Sequence, residues 1–375
     1  DTLSIHETGV EARLAGAFAT IDLRALQHNY RTLAALAPTA RTAGVVKADA
    51  YGLGIAEAVP ALAAAGCDTF FVAWPEEGRA LRKVSPHARI YVLGGLFGRE
   101  AAQAYAEASL IPVLNSRRET AIWEGFCSTD GVAHACAIHV DTGMNRLGLT
   151  FEQARTLAEE NALTSALDPV LVMSHLAGAD QPDHPLNQRQ LETFTAARQL
   201  FGGVEASLAN SAGIALGADF HFDLVRPGIA LYGGLSGLDL QPVVCVEARI
   251  VQIRTVRAGE AVSYGAAAVV QRDSRVAICA AGYADGLPRA LSGAGVPLRA
   301  VTGGGHGFAG GRRVPVLGRV TMDMTMFDIT DVEDGALTVG DRIEVFGPNL
   351  PIEEAAMAAG TISYELLTGL SRRHH

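Results

Sequence analysis

Val45-Val46-Lys47-Ala48-Asp49-Ala50-Tyr51-Gly52-Leu53-Gly54 is the stretch around which the chain organises itself. With Ala43 and Gly44 in front, an apolar run ends in one lysine, and a small-residue turn, a tyrosine and two glycines follow before helical spacing begins. This reads as a strand whose last residue is Lys47, followed by a loop and a helix. If the strand belongs to a parallel barrel, Lys47 stands on the C-terminal rim, where barrels build their chemistry. Burial there would lower the amine's pKa and make it a nucleophile or base. A lysine snorkelling from the rim to solvent is the other reading.

Outward from this stretch the pattern repeats. Upstream, Ala19 to Ala37 carries Leu23, Leu26, Tyr30, Leu33 and Leu36 at helical spacing, with Asp22 placed to cap it. Downstream, strands near 69–73, 89–93, 110–114, 133–141, 169–175, 205–209 and 222–225 alternate with helices near 55–65, 75–84, 98–107, 117–126, 151–160, 187–200 and 211–217. With the strand near 43–47, eight strands interleaved with helices predict right-handed crossovers and closure into an α/β (β/α)8 TIM-type barrel. Beyond about residue 240 the helices vanish and β-branched runs appear at 243–255, 275–280, 313–317, 324–329 and 342–346. Residues 1–240 are therefore expected to form the barrel and 241–375 a mainly-β domain, with a helical tail at 352–370 split by Gly360.

Composition bounds the function. The 375 residues are 49% hydrophobic and 19% charged, enough apolar mass for two cores and far from a disordered composition. A net charge of -10 argues against nucleic acid, which demands clustered cations, and favours a small substrate. Cys67, Cys127, Cys136, Cys245 and Cys279 are scattered, with no CxxC, so they read as small buried apolar residues rather than disulfides or zinc ligands. No apolar run reaches membrane-spanning length and the start DTLSIHETGV lacks a signal-peptide core, so a cytoplasmic protein is expected.

Polar residues mark the ends of later strands as Lys47 marks the first. Arg146 follows the fifth strand in Asp141-Thr-Gly-Met-Asn-Arg-Leu-Gly148, His175 ends the sixth, Asn210-Ser211 ends the seventh and Arg226-Pro-Gly228 follows the eighth. Each has a structural explanation alone, as an ion-paired arginine, a core histidine or a helix cap, but their placement on one rim points to a site. Ser211 and Gly228 match the phosphate site that barrels build from their last two loops. A rim lysine, a phosphate cradle and an arginine for a ring nitrogen meet the needs of pyridoxal phosphate.

VVKADAYGLG, DTGMNRLG, SHLAGAD, NSAG, VRPGIALYG, VSYG, GRVTMDMT and TISYELLT, in this order along nearly the whole chain, resemble the motifs of bacterial alanine racemases. The resemblance implies a barrel plus β-domain and interconversion of L- and D-alanine, with Lys47 carrying pyridoxal phosphate and acting as one base. Tyr264, in Val262-Ser-Tyr-Gly265, would be the second, reaching the partner's site in an obligate homodimer together with Met322. It also assigns the phosphate to Tyr51, Ser211, Gly228, Ile229 and Tyr364, with Asn210 beside them, and the ring nitrogen to Arg226 with His175 in support. Arg146 would bind the phenolic oxygen and the substrate carboxylate, and Asp323 would flank Met322. Tyr283, Arg289, Arg319, Asp180 and Ile362 would line the substrate entrance. Two bases are needed because inverting a carbon removes a proton from one face and returns one to the other. D-alanine would then supply peptidoglycan.

One position departs from the pattern. Many family members carry a carbamylated lysine seven residues before the arginine of the DTGM motif, and here that residue is His139, which cannot form a carbamate. Neutral His139, water or an anion must orient Arg146 instead. The run Thr302–Gly311 lacks a phosphate-loop signature and reads as a hairpin, and no HxH or HExxH pair suggests a metal. His184, His221 and His306 are expected in loops, and Glu57, Glu76 and Glu77 as partners of helix dipoles. The rival readings are a broader or serine racemase, a barrel-type pyridoxal phosphate decarboxylase, and a non-enzymatic carrier of the same cofactor.

Overall fold

The structure, a computed structural model, describes residues 14–294, 304–370 and 373–374. The start at residues 1–10 and Thr302-Gly303 of the glycine-rich run lie outside them. The described chain divides into two compact units. One takes Leu26–Leu231 with Gly237–Leu240, and the other takes the chain up to Ala25, Tyr232–Ser236 and the residues from Gln241 on.

The first unit is the barrel. Its parallel strands are Gly44–Val45, Thr69–Val72, Arg89–Val92, Ile111–Leu114, Ala135–His139, Asp168–Met173 and Glu205–Ser207, each paired with the next. Leu224–Val225 pairs in parallel with Arg41–Thr42, which continues after Ala43 as the first strand. Closure is completed by backbone bonds from Asp223 N–H to Ala206 O and from Arg226 N–H to Ala209 O. Strand interiors such as Phe70, Phe71, Val72, Ile90, Val92, Val113, Ala137, Ile138 and Val172 are buried, which is why these runs read as continuous apolar stretches rather than alternating ones.

Local chemistry sets the crossover helices. Pro75 pre-sets φ at the start of Pro75–Val84, and Thr150 and Gln153 cap Phe151–Thr164 reciprocally. Asp22 caps Leu23–Leu36 by accepting from the N–H groups of Arg24 and Ala25, and Leu26, Tyr30 and Leu33 form its buried stripe. Among the described residues no helix is long and apolar enough to cross a membrane.

The second unit is a seven-stranded antiparallel sheet ordered Arg312–Pro315, His306–Ala309, Arg342–Phe346, Val244–Val256, Ser274–Cys279 and Thr325–Asp328. Its seventh strand corrects the sequence reading. Ala17–Ile21 is not the front of a helix but a strand pairing antiparallel with Val244–Ala248, Ala17 opposite Ala248 and Ile21 opposite Val244. The glycine-rich run ends as a hairpin, with Gly310 and Gly311 at positive φ between His306–Ala309 and Arg312–Pro315. His306 therefore lies in a strand, while His184 caps the helix Pro185–Leu200 and His221 is buried after a 3-10 turn, so none of the three sits in an open loop. The helical tail breaks at Gly360, φ 68°, between Ile352–Ala359 and Ser363–Thr368.

Candidate active site

Strand pairing at the first rim position ends with Val46 N–H donating to Phe71 O at 2.9 Å, so Lys47 opens the turn instead of closing the strand. Ala48, Asp49, Ala50 and Tyr51 then all take left-handed backbone angles, with φ of 54°, 53°, 55° and 58°. A run of left-handed non-glycine residues costs roughly 1–2 kcal/mol each. The surroundings hold it: Ala50 N–H donates to Val46 O, Gly52 N–H to Ala48 O, and Ile55 N–H to Asp49 Oδ1 at 2.8 Å. Glu77, at the start of the next helix, accepts from Ala48 N–H at 2.5 Å. The turn buries Tyr51 and leaves the Lys47 side chain half-buried. Burial first, and then Arg146, draw the Lys47 amine below its ordinary value, while Glu77 opposes them.

Across the barrel mouth Arg226 is buried, and no carboxylate is among its hydrogen-bond partners. It donates to Ser207 Oγ, to Ser174 O at 2.6 Å and more weakly to Leu208 O, and it lies over the Phe71 ring. Burial pulls it down to about 9, so it remains a cation at neutral pH. Beside it Asn210 caps the short helix Ser211–Ala215, leaving Ser211 Oγ to accept from Gly228 N–H at 2.8 Å and Ala230 N–H at 3.2 Å. Gly228 packs closely on Tyr51: a Cβ there would come 2.3 Å from the hydroxyl oxygen, so a larger residue would displace the ring. Ile229 follows in the turn Ile229–Tyr232. A buried cation without a carboxylate among its hydrogen-bond partners, on the same rim as the Ser211 and Tyr51 hydroxyls and the N–H groups of Gly228 and Ala230, fits a ligand with a lone-pair-bearing ring and a phosphate.

His139 ends the fifth strand, 7% exposed. Asn115 Nδ2 donates to Val113 O and Leu93 O, which turns its Oδ1 toward His139 Nδ1 at 2.7 Å. Nδ1 must therefore carry the proton, leaving Nε2 a lone pair. Burial, then Arg226, push His139 down to about 4. His175 is driven well below its ordinary value by burial and by Arg226, Arg146, His139 and Lys47. It is a neighbour of Arg226 in charge, but Ser207 and the Ser174 carbonyl make the contacts. Arg146 is exposed on a loop folded by Asp141, whose Oδ1 accepts from the N–H groups of Gly143, Met144 and Asn145. Buried Gln190 ties this loop to the next, donating to Thr142 Oγ1 and His175 O and accepting from Ala177 N–H. Asp180 lies exposed farther along the same loop.

The β unit holds the other candidates. Tyr264 is 73% exposed at the end of the small hairpin Ala261–Val262 with Ala268–Val269. Arg319 packs against the residues on either side of it: Ser263 Oγ donates to Arg319 O, and a Cβ at Gly265 would meet the guanidinium at 3.0 Å. Tyr283 N–H and Ala284 N–H donate to Thr321 O and Met322 O, which joins Tyr283 to the Met322-Asp323 turn, and Arg373 pairs with both Asp323 and Asp285. Gly286 packs on Gly369, bringing in the helix that carries Tyr364. Tyr283, Met322, Ile362 and Tyr364 are exposed, as is Arg289 at the start of a 3-10 turn. The roles of Ser207, Ser174, Asn115 and Gln190 escaped the sequence reading, and Glu77 was legible only as a dipole partner. A serine inside the apolar run at 205–209 was the available signal for Ser207. Among the described residues no three His, Cys, Asp or Glu side chains group as a metal site.

Comparison with known proteins finds two family models in succession, the N-terminal domain of alanine racemase over residues 21–236 and its C-terminal domain over 243–375. An alanine racemase of Rhizobium meliloti (strain 1021) is 52% identical over 362 residues, covering 95% of each chain. A biosynthetic alanine racemase of Agrobacterium fabrum is 51% identical over 360 residues, covering 95% of this chain and 92% of that one. Among solved structures, the alanine racemase of Bartonella henselae with covalently bound pyridoxal phosphate superposes with a TM-score of 0.88 at 39% identity, covering 96% of this chain and 98% of that one.

Proposed function

The chain belongs to the alanine racemase family, and from that premise we propose that it interconverts L- and D-alanine by a two-base mechanism, Lys47 on one face of the substrate and Tyr264 of the partner subunit on the other. The observation that carries this reading is the half-buried Lys47 on a strained turn, its amine depressed by burial and Arg146, at the mouth that also holds a buried Arg226 without a carboxylate. When bound, pyridoxal phosphate supplies the electron sink that makes the α-proton of an attached amino acid acidic.

This chain's residues do the rest. Lys47 holds the cofactor and moves the α-proton on its own face, and a lowered pKa raises the fraction of free amine at working pH. Arg226 presents guanidinium protons to the ring nitrogen and does not give them up. Ser211, Gly228, Ile229 and Tyr51, with Asn210 behind them and Tyr364, seat the phosphate. Arg146 takes the substrate carboxylate, and neutral His139 and His175 add no charge of their own to the site. Tyr264, Met322 and Asp323 complete the site of the partner in a homodimer, and Tyr283, Arg289, Arg319, Asp180 and Ile362 line the approach. In this role the enzyme works in the cytoplasm and supplies D-alanine for peptidoglycan. The family match spans both units, which disfavours the decarboxylase and the lone-barrel carrier.

L-alanine added to the protein with pyridoxal phosphate should lose optical rotation to zero with no loss of amino acid. Tyr264→Phe should slow this about 10²- to 10⁴-fold, the range for removing an acid-base group. It should leave the α-proton of one enantiomer exchanging with deuterium, as read by NMR. Constant rotation in the wild type with cofactor bound would overturn the assignment.

A further inference from the structure

We propose that Glu77 is a positioning residue for Lys47: one carboxylate oxygen caps the helix after the second barrel strand while the other holds the left-handed turn that aims the lysine. The inference rests on the reading of Lys47 as the cofactor-bearing amine. Glu77 Oε2 accepts from Ala73 N–H at 2.7 Å and Trp74 N–H at 3.1 Å, the ordinary work of an acid in the first turn of Pro75–Val84. Its Oε1 faces the other way and accepts from Ala48 N–H at 2.5 Å, with Asp49 N–H at 3.4 Å. These two N–H groups belong to the first two residues of the left-handed run, where the chain leaves Lys47. A cap alone needs one oxygen. The second spans from the loop after one strand to the loop after its neighbour, and puts a full negative charge beside the lysine.

Such a strained run persists only where its surroundings over-determine it. The backbone bonds of the turn itself close its far end, at Gly52 and Gly54, whereas the N–H groups of Ala48 and Asp49 at its near end are directed to Glu77. The charged groups that bear on the Lys47 amine are Arg146, from the loop after the fifth strand, and Glu77, which oppose each other. His175, from the sixth strand, is close enough to feel Lys47 and stays neutral.

The test follows hydrogen exchange at residues 47–54 and 73–80, pyridoxal phosphate affinity, and the pH profile of Lys47 labelling by an amine reagent in cofactor-free enzyme. Glu77→Ala should accelerate exchange at Ala48 and Asp49 about tenfold or more and weaken cofactor binding by a similar factor, the loss of a charge-assisted hydrogen bond. Glu77→Gln keeps one acceptor oxygen and folds where the alanine variant does not. It should shift Lys47 labelling to lower pH, because the charge favouring the ammonium form is gone. Glu76→Ala, in the same first turn but exposed, should change neither reading. Exchange faster only at 73–80, or a labelling profile unmoved in Glu77→Gln, would reduce Glu77 to a helix cap and overturn the proposal. A wild type that never takes pyridoxal phosphate on Lys47 would instead overturn the functional reading.

Discussion

The two ends of the barrel carry charge in opposite ways. At the N-terminal end Arg41 pairs with Asp68 and Glu205, each at 2.9 Å, and Arg89 closes on the other Glu205 oxygen at 3.1 Å, so cations and carboxylates balance. At the C-terminal end Lys47, Arg146 and Arg226 face a mouth whose acids are committed elsewhere, Asp141 to its own loop and Glu77 to backbone N–H groups. The histidines there are kept neutral by burial and by those same cations. The same strands thus end in a closed network on one side and an unbalanced positive cluster on the other. A closed network needs no ligand, whereas an unbalanced one is completed by an anion, which pyridoxal phosphate and the alanine carboxylate both are.

Substitutions at the two ends should separate along this line. Lys47→Ala should cost the largest factor, about 10³ or more in racemisation rate, through loss of nucleophile and base together, with thermal midpoint little changed. Unaltered turnover in that variant would break the contrast at its most important point. His139 tests whether neutrality at the mouth is built in. Its folded-state pKa of about 4 lies below the unfolded value near 6.5, so its contribution to stability is whole above pH 6.5 and is lost as pH falls toward 4. The loss should reach roughly 3 kcal/mol, and His139→Gln, unable to protonate, should flatten that part of the curve in denaturant titrations. Identical slopes in the two proteins would remove His139 from the account. Smallest is Arg41→Met, expected to lose about 1 kcal/mol because the network is partly exposed, with kcat unchanged. A drop in kcat there would show that the ends are not independent.

The barrel was legible because its strands are buried through their C-terminal halves and its helices are one-sided, so short apolar runs alternate with spaced ones. The strand Ala17–Ile21 was not, since it is five residues long, its partner begins at Val244, and the helical spacing from Leu23 runs back into it without a break. The left-handed turn was equally hidden. Ala48, Asp49, Ala50 and Tyr51 carry no glycine among them, and what stabilises them lies at Glu77 and in the backbone itself. Glu77 could be read only as a dipole partner because its second contact is long-range. Rim positions follow from counting strands, so Lys47, Arg146, His175, Ser211 and Arg226 could be placed in advance. The hydrogen bonds that fix Arg226 and the tautomer of His139 could not, as each depends on which way a neighbouring side chain turns.

The strand at Ala17–Ile21 has a consequence for how the chain is made. Its partner is more than two hundred residues downstream, with the entire barrel encoded between them. At about 5–20 residues per second of synthesis, roughly ten to fifty seconds pass between the emergence of Ala17–Ile21 and that of Val244. During that interval Leu26–Leu231 can close its own hydrogen bonds, while Ala17–Ile21 still lacks the partner strand that holds it. A strand made before the barrel is thus seated only after it, and the β unit remains incomplete until these two distant segments of the chain meet.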